Sequence, residues 1–130
     1  MKKTLAFAGL LGLAGLLELS LIAPVAQAHH SFAMFDRTRE VTVTGTVKEF
    51  QWSNPHAYIQ LTAKNASGAD VEWSLEMGSP MYLYARGWRP RTLRPGTQVR
   101  IRLNPLRNGS PGGVVLDVSD MNGTSIGTNQ

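Results

Sequence analysis

The fold is decided by Val41-Thr42-Val43-Thr44-Gly45-Thr46-Val47-Lys48, a stretch in which apolar and polar residues alternate. Side chains of a β-strand point alternately to opposite faces, so this period of two predicts a strand with one face in a core. Valine and threonine are β-branched and favour the same structure. Gly45 in the middle predicts a bulge or sharp bend, which a strand shared by two sides of a barrel requires.

The same alternation recurs in four further segments, separated by turns rich in proline, glycine and asparagine. The residues predicted to face the core are Ala57, Ile59 and Leu61 in the second strand, Val71, Trp73, Leu75 and Met77 in the third, Val99, Ile101 and Leu103 in the fourth, and Val114, Leu116 and Val118 in the fifth. Glu72 and Glu76 fall on the outward face of the third strand. Ser79-Pro80 predicts the start of a short helix, which ends near Arg86.

Three strands, a short helix and two more strands, with a bend in the first, is the order of an OB-fold, a five-stranded Greek-key barrel. The sequence therefore predicts an all-β domain of this kind, with one short helix, over residues 29–120. A small β-sandwich is the alternative architecture. Residues 121–130 are rich in glycine, threonine and asparagine, and this composition predicts a flexible tail.

The first 28 residues have the features of an export signal. Lys2-Lys3 gives a positive start, residues 4–22 are almost wholly apolar, and Ala26-Gln27-Ala28 matches the small-x-small cleavage pattern. The apolar run is shorter than the about 20 residues of a membrane span, and Glu18 interrupts it. We therefore expect a cleaved signal peptide over residues 1–28 and a periplasmic protein that does not span the membrane after processing.

Composition narrows the function classes. The chain has no cysteine, so a hydrophobic core without disulfides must stabilise it. Its 13 lysines and arginines against 9 acidic residues make it only mildly basic, which, together with export, argues against nucleic acid as a partner. The sequence contains no nucleophile elbow, phosphate-binding glycine loop or HExxH motif. We therefore predict no catalytic residue and do not expect an enzyme.

Histidine placement is the strongest chemical signal in the chain. Two of the three histidines, His29 and His30, lie at the predicted mature N-terminus, and the third is His56. A terminal His29 carries an amine and an imidazole that can bind the same copper(II) ion, which favours square-planar nitrogen ligands. His56 can complete a three-nitrogen site that resembles the histidine brace of exported copper proteins. In the alternative interpretation, the histidines are a solvated terminus and His56 caps the turn after Pro55.

Two further points bear on this metal hypothesis. Cleavage two residues earlier would place His29 third, where it binds copper(II) or nickel(II) through backbone nitrogens instead. Met34, Met77 and Met81 are candidate soft ligands for copper(I), although methionines also commonly fill cores.

The second candidate site is basic. Four arginines fall within nine residues between the helix and the fourth strand: Arg86, Arg89, Arg91 and Arg94. Trp88 lies among them, and Trp52 and Tyr58 are candidate stacking platforms beside the second strand, where many OB-folds bind ligands. These residues predict a module that binds an anionic ligand, such as a polyanion or a periplasmic partner protein. In the alternative interpretation, Trp88 closes the barrel end and the arginines only solvate a loop.

Four short motifs together carry a family resemblance: His29-His30-Ser31-Phe32, Asn54-Pro55-His56, Glu76-Met77-Gly78-Ser79-Pro80 and Pro95-Gly96-Thr97. They resemble an uncharacterised family of small exported bacterial proteins, known as a domain of unknown function. The resemblance extends over essentially the whole mature chain and implies an OB-like barrel. It implies no established activity, substrate or catalytic residue.

Overall fold

The computed structural model describes residues 32–129. The predicted signal peptide, His29 and His30 lie outside these residues. The elements in chain order are a short 3-10 helix (Phe32–Met34), β1 (Val41–Gln51), β2 (Tyr58–Lys64), β3 (Asp70–Glu76), α1 (Pro80–Ala85), β4 (Gln98–Pro105), β5 (Gly112–Ser119) and β6 (Ser125–Thr128).

Five strands close into a barrel. They are hydrogen-bonded in the order β3-β2-β1-β4-β5, and a parallel pairing of β3 with β5 closes the ring. All other pairings are antiparallel, and β6 adds to the outside of β5. Helix α1 lies between β3 and β4 in the sequence, as an OB-like fold requires. The predicted OB-like, all-β architecture is confirmed.

The first strand is long because it pairs on both sides. Gly45 is opposite Ala63 of β2 and also opposite Val99 of β4. A Cβ atom on Gly45 would lie 2.4 Å from the carbonyl oxygen of Thr62, so the close approach of these strands requires glycine. The register shift in β1 comes slightly later, between Val47 and Glu49.

The barrel interior is filled mainly by the residues that the alternation placed there. Ile59, Leu75 and Ile101 are fully buried, as predicted. Val43 and Trp73 are only partly buried and pack against the edge of the core. Both line an open pocket of about 510 Å³ beside the β4–β5 loop.

The alternation fails in β5. Leu103 pairs with Val115 and Arg102 pairs with Asp117, so Leu116 is an extra residue that shifts the register. Val115 and Val118 therefore belong to the main core cluster, whereas Val114 is only half-buried. The prediction that Val114 faces the core is wrong for this reason, whereas Leu116 and Val118 are buried as predicted.

The structure also differs from the flexible tail predicted for residues 121–130. Residues 125–128 form β6, and Asn129 is buried. Trp88 is 1% exposed, and its indole N–H donates to the carbonyl oxygen of Thr128 at 2.9 Å. A Cβ atom on Gly127 would lie 2.7 Å from the Trp88 ring, so glycine lets β6 lie flat against it. Long-range packing on Trp88 orders a segment of low strand propensity.

Helix α1 is short but capped as the sequence predicts. The Ser79 hydroxyl accepts a hydrogen bond from the backbone N–H of Tyr82 at 3.3 Å, and Pro80 is the first helical residue. Within residues 32–129, no helix is long and apolar enough to cross a membrane.

Candidate functional site

One pocket combines the histidine His56, the buried carboxylate Glu76 and two amide side chains. It has a volume of about 560 Å³ and lies where β3, α1 and the segment after β6 meet. Its polar lining residues are Arg37, His56, Glu76, Ser79, Tyr82, Asn104 and Asn129. Apolar barrel residues such as Val114 and Val115 form the remaining wall. A concave, partly apolar site with a few convergent polar groups is the usual form of a small-ligand or metal site.

The imidazole ring of His56 is held in this pocket by a hydrogen bond to the backbone. Its Nδ1 lies 2.9 Å from the carbonyl oxygen of Met77 and 3.4 Å from a carboxylate oxygen of Glu76. A carbonyl oxygen can only accept, so Nδ1 carries the proton and, in the neutral ring, Nε2 carries the lone pair. The Ser53 hydroxyl donates to the His56 carbonyl oxygen at 2.9 Å and holds the preceding loop. The turn-capping interpretation of His56 is therefore incomplete, because the ring reaches across to the end of β3.

Glu76 lies beside this histidine, although sequence reasoning assigned it to the solvent. It is only 8% exposed, since α1 and the segment around Asn129 fold over this end of β3. The Tyr58 hydroxyl donates to the other Glu76 carboxylate oxygen at 3.3 Å. Burial, followed by the Glu76 carboxylate, raises the pKa of Tyr58 above its ordinary value. By contrast, Glu72 on the same strand is exposed, as predicted, and pairs with Lys48 at 3.0 Å.

Asn129 closes the pocket from the far end of the described chain. Its side-chain oxygen accepts from the Gly78 N–H at 2.7 Å, and its side-chain nitrogen donates to the Val115 carbonyl oxygen at 3.0 Å. The Tyr82 hydroxyl donates to the Asn129 carbonyl oxygen at 3.2 Å. No local pattern in the sequence identifies Asn129, because its partners lie 14 to 51 residues away.

The described chain enters beside this pocket. The Asp36 N–H donates to the Pro105 carbonyl oxygen at 2.8 Å, and the Arg107 N–H donates to the Met34 carbonyl oxygen at 2.9 Å. These bonds hold residues 34–36 against the end of β4, next to the pocket residue Asn104. Arg37, the next residue along the chain from Asp36, lines the pocket itself.

Residues 32–129 alone do not assemble a metal site. Among them, no group of three or more histidine, cysteine, aspartate or glutamate side chains could hold a metal ion. Of the candidate soft ligands, Met77 is buried in the core, whereas Met34 and Met81 are exposed on separate helices. A metal site with three such ligands at His56 would therefore need at least one from outside these residues.

In the predicted basic site, Trp88 is buried and two of the four arginines stack on tyrosine rings. Trp88 lies in the core rather than on the loop surface, which agrees with the interpretation in which it closes the barrel end. The Arg86 guanidinium stacks 3.5 Å over the Tyr82 ring, and that of Arg89 stacks 3.6 Å over the Tyr84 ring. Arg91 and Arg94 are exposed further along the loop. The residues that sequence reasoning missed here are the two tyrosines that support the arginines.

The candidate platforms Trp52 and Tyr58 are both in contact with neighbouring side chains. Trp52 is half-buried and packs edge-to-face against Phe50, with ring centroids 5.6 Å apart. Tyr58 is half-buried with its hydroxyl on Glu76. The structure thus joins Tyr58 to the His56 pocket and keeps Trp52 at the margin of the core.

A family model matches residues 18–116, and the chain belongs to that family, DUF6152, a family of unknown function. The matched range includes His29, His30 and His56. No curated protein and no solved structure matches the chain.

Proposed function

We propose that this member of the DUF6152 family is an exported binding protein that holds copper(II) between its mature N-terminal histidine and His56. The observation that carries the proposal is the fixed His56 ring, whose Nδ1–H lies on the Met77 carbonyl and beside the buried Glu76 carboxylate. Metal-binding histidines commonly donate their second ring N–H to a carbonyl or carboxylate, which fixes the tautomer and makes the other nitrogen a better ligand. His56 has this arrangement, in a pocket with room for a metal and its ligands.

The remaining ligands come from His29. Cleavage after Ala28 would leave an amine and an imidazole on this residue, and copper(II) prefers such nitrogen sets. His29 precedes the pocket residue Arg37 by eight residues. Phe32–Met34 is a 3-10 helix and Asp36 is hydrogen-bonded to the end of β4, so the reach of His29 toward His56 is set by the three residues before Phe32, which span up to about 10 Å when extended. His30, next to the chelate, is a further candidate ligand.

The first experiment titrates copper(II) into the processed protein. We expect one equivalent to bind, with a nitrogen-rich electron paramagnetic resonance spectrum. Binding should weaken as the pH falls through the imidazole range, near ~6.5, because protons compete for the same nitrogens. His56→Ala should change the spectrum. Mass spectrometry of the exported protein should give His29 as its first residue, and an intact leader would contradict the proposal.

Two carboxylates on one strand give a matched pair for the role of His56. Glu76→Gln removes the charge beside the His56 ring and should lower copper affinity about 10- to 100-fold. Glu72→Gln makes the same chemical change at an exposed position of β3 and should leave affinity unchanged. Equal affinities for the two variants would show that the Glu76–His56 contact has no part in metal binding.

The most discriminating variant carries one extra residue ahead of His29. It moves the terminal amine off the histidine and keeps every side chain. If this variant binds copper(II) with the same affinity and spectrum, the amine is not a ligand and the proposed site is wrong. If His56→Ala instead binds as the parent does, copper is held by a terminal chelate without the barrel.

A further inference from the structure

Helix α1 presents large apolar side chains to solvent without a structural reason in the described fold. Met81 is 84% exposed and Tyr84 is 58% exposed, on a helix of only six residues. The only fully buried residue of α1 is Leu83, which is sufficient to attach the helix to the core. Clustered exposed hydrophobic side chains on a small domain are characteristic of interaction sites.

Two arginines border these side chains and are held in place. The Arg86 guanidinium stacks on Tyr82 at 3.5 Å, and the Arg89 guanidinium stacks on Tyr84 at 3.6 Å. Arg89 also donates to the carbonyl oxygens of Tyr84 and Trp88, at 3.0 and 2.7 Å. Stacking restricts the rotamers of long side chains, so less entropy is lost when their remaining N–H groups bind a ligand. We call Met81, Tyr84, Arg86 and Arg89 together the α1 surface.

The segment of sequence that contains α1 carries charged residues of one sign. The sequence between residues 77 and 116 contains seven arginines and no aspartate or glutamate. Lys48, Lys64, Arg102 and Arg107 all have carboxylate partners. Within residues 32–129, no salt bridge involves an arginine of the segment from 86 to 94. The surface is therefore complementary to a ligand that supplies carboxylates.

We propose that the α1 surface docks an acidic segment of a partner protein. Carboxylates of the partner pair with the guanidinium groups of Arg86 and Arg89, and its apolar side chains pack on Met81 and Tyr84. Tyrosine, methionine and arginine are the residue types enriched at protein interfaces. This proposal is independent of the copper site.

Geometry favours a protein carboxylate over a membrane surface. Fixed planar guanidinium groups match carboxylates bidentately, whereas attraction to a lipid surface needs only unspecific positive charge. The chain has no lysine after Lys64, so all the basic residues around α1 are arginines.

The probe is a fluorescein-labelled peptide of alternating glutamate and leucine, and the measurement is fluorescence anisotropy at low and physiological salt. The comparison ligands are the same peptide with glutamine in place of glutamate and vesicles of phosphatidylglycerol. Arg86→Gln and Met81→Ser should each weaken binding of the acidic peptide about tenfold. Both side chains are exposed, so both variants should retain the melting temperature of the parent.

Arg100→Gln is the matched control, since it removes the same charge from an exposed position on β4. Unchanged binding by Arg100→Gln, together with loss in Arg86→Gln and Met81→Ser, supports the proposal. Equal loss in Arg86→Gln and Arg100→Gln overturns it in favour of unspecific attraction. Tighter binding to vesicles than to the acidic peptide, or no binding of the acidic peptide, also overturns it.

Discussion

Asn129→Ala tests whether the C-terminal segment is part of the fold or an appended tail. The Asn129 amide satisfies the Gly78 N–H and the Val115 carbonyl, at 2.7 and 3.0 Å. Alanine leaves both groups without these bonds, and an unsatisfied buried group costs about 1–3 kcal/mol. Because Gly78 is only half-buried and water can reach it in part, we expect a total loss of about 2–4 kcal/mol. In a domain of this size, that loss lowers the melting temperature by on the order of 10 °C or more.

The assay for Asn129→Ala is thermal and urea unfolding of the mature protein. Asn122→Ala is the control, because it makes the same change at an exposed position in the turn before β6. The control should unfold at the parent temperature. If both variants unfold together with the parent, the hydrogen bonds of Asn129 contribute nothing, and the segment is the loose tail that its composition indicates.

Three further predictions concern the core and two ionisable groups. Ile101→Ala should cost about 2–5 kcal/mol in chemical unfolding, because the side chain is fully buried at the centre of β4, and an unchanged midpoint would contradict the inward register. Glu76→Gln should move the pKa of Tyr58, now raised by burial and by the carboxylate, back toward its ordinary value, as followed by NMR of the ring; an unmoved pKa would leave burial as the sole cause. The hydrogen bond from Lys48, then that from Thr62, lowers the pKa of Glu72, so its stabilisation is present at neutral pH and is lost as the pH falls through the lowered pKa. Lys48→Met should therefore flatten the acid side of the stability profile, and an unchanged slope would show that the pair has no effect on folding.

The barrel could be predicted from the sequence because its signals are local. The alternation in β1 to β4 reports which side chains face the core, and the burial of Ile59 and Ile101 follows from it. The failure in β5 has the same origin, since a bulge at Leu116 changes the register without changing the composition. β6 contains one large apolar residue, Ile126, and the strand is held by Trp88, whose indole N–H donates to Thr128, 40 residues along the chain.

The candidate site was predictable only in part, for a related reason. His56 stood out by residue type, because histidine is scarce in this chain. Glu76 was assigned to solvent by strict alternation along β3, and its burial depends on Tyr82 and Asn129 folding over the strand end. A periodic pattern in the sequence cannot predict the burial of Glu76, because that burial brings together β3, α1 and the segment after β6. Residue type thus identified His56, but tertiary structure was needed to find the carboxylate beside it.

Tyr82 connects the two proposed sites physically. Its ring supports the Arg86 guanidinium of the α1 surface, and its hydroxyl binds the Asn129 carbonyl at the edge of the His56 pocket. The copper ligands and the partner contacts themselves use different residues, so each proposal can fail without the other. A ligand that shifts Tyr82 in the pocket must nevertheless also shift the support of Arg86. Because coupling between two sites is reciprocal, a partner that prefers the metal-bound form would bind more tightly with copper and would raise the copper affinity by the same factor.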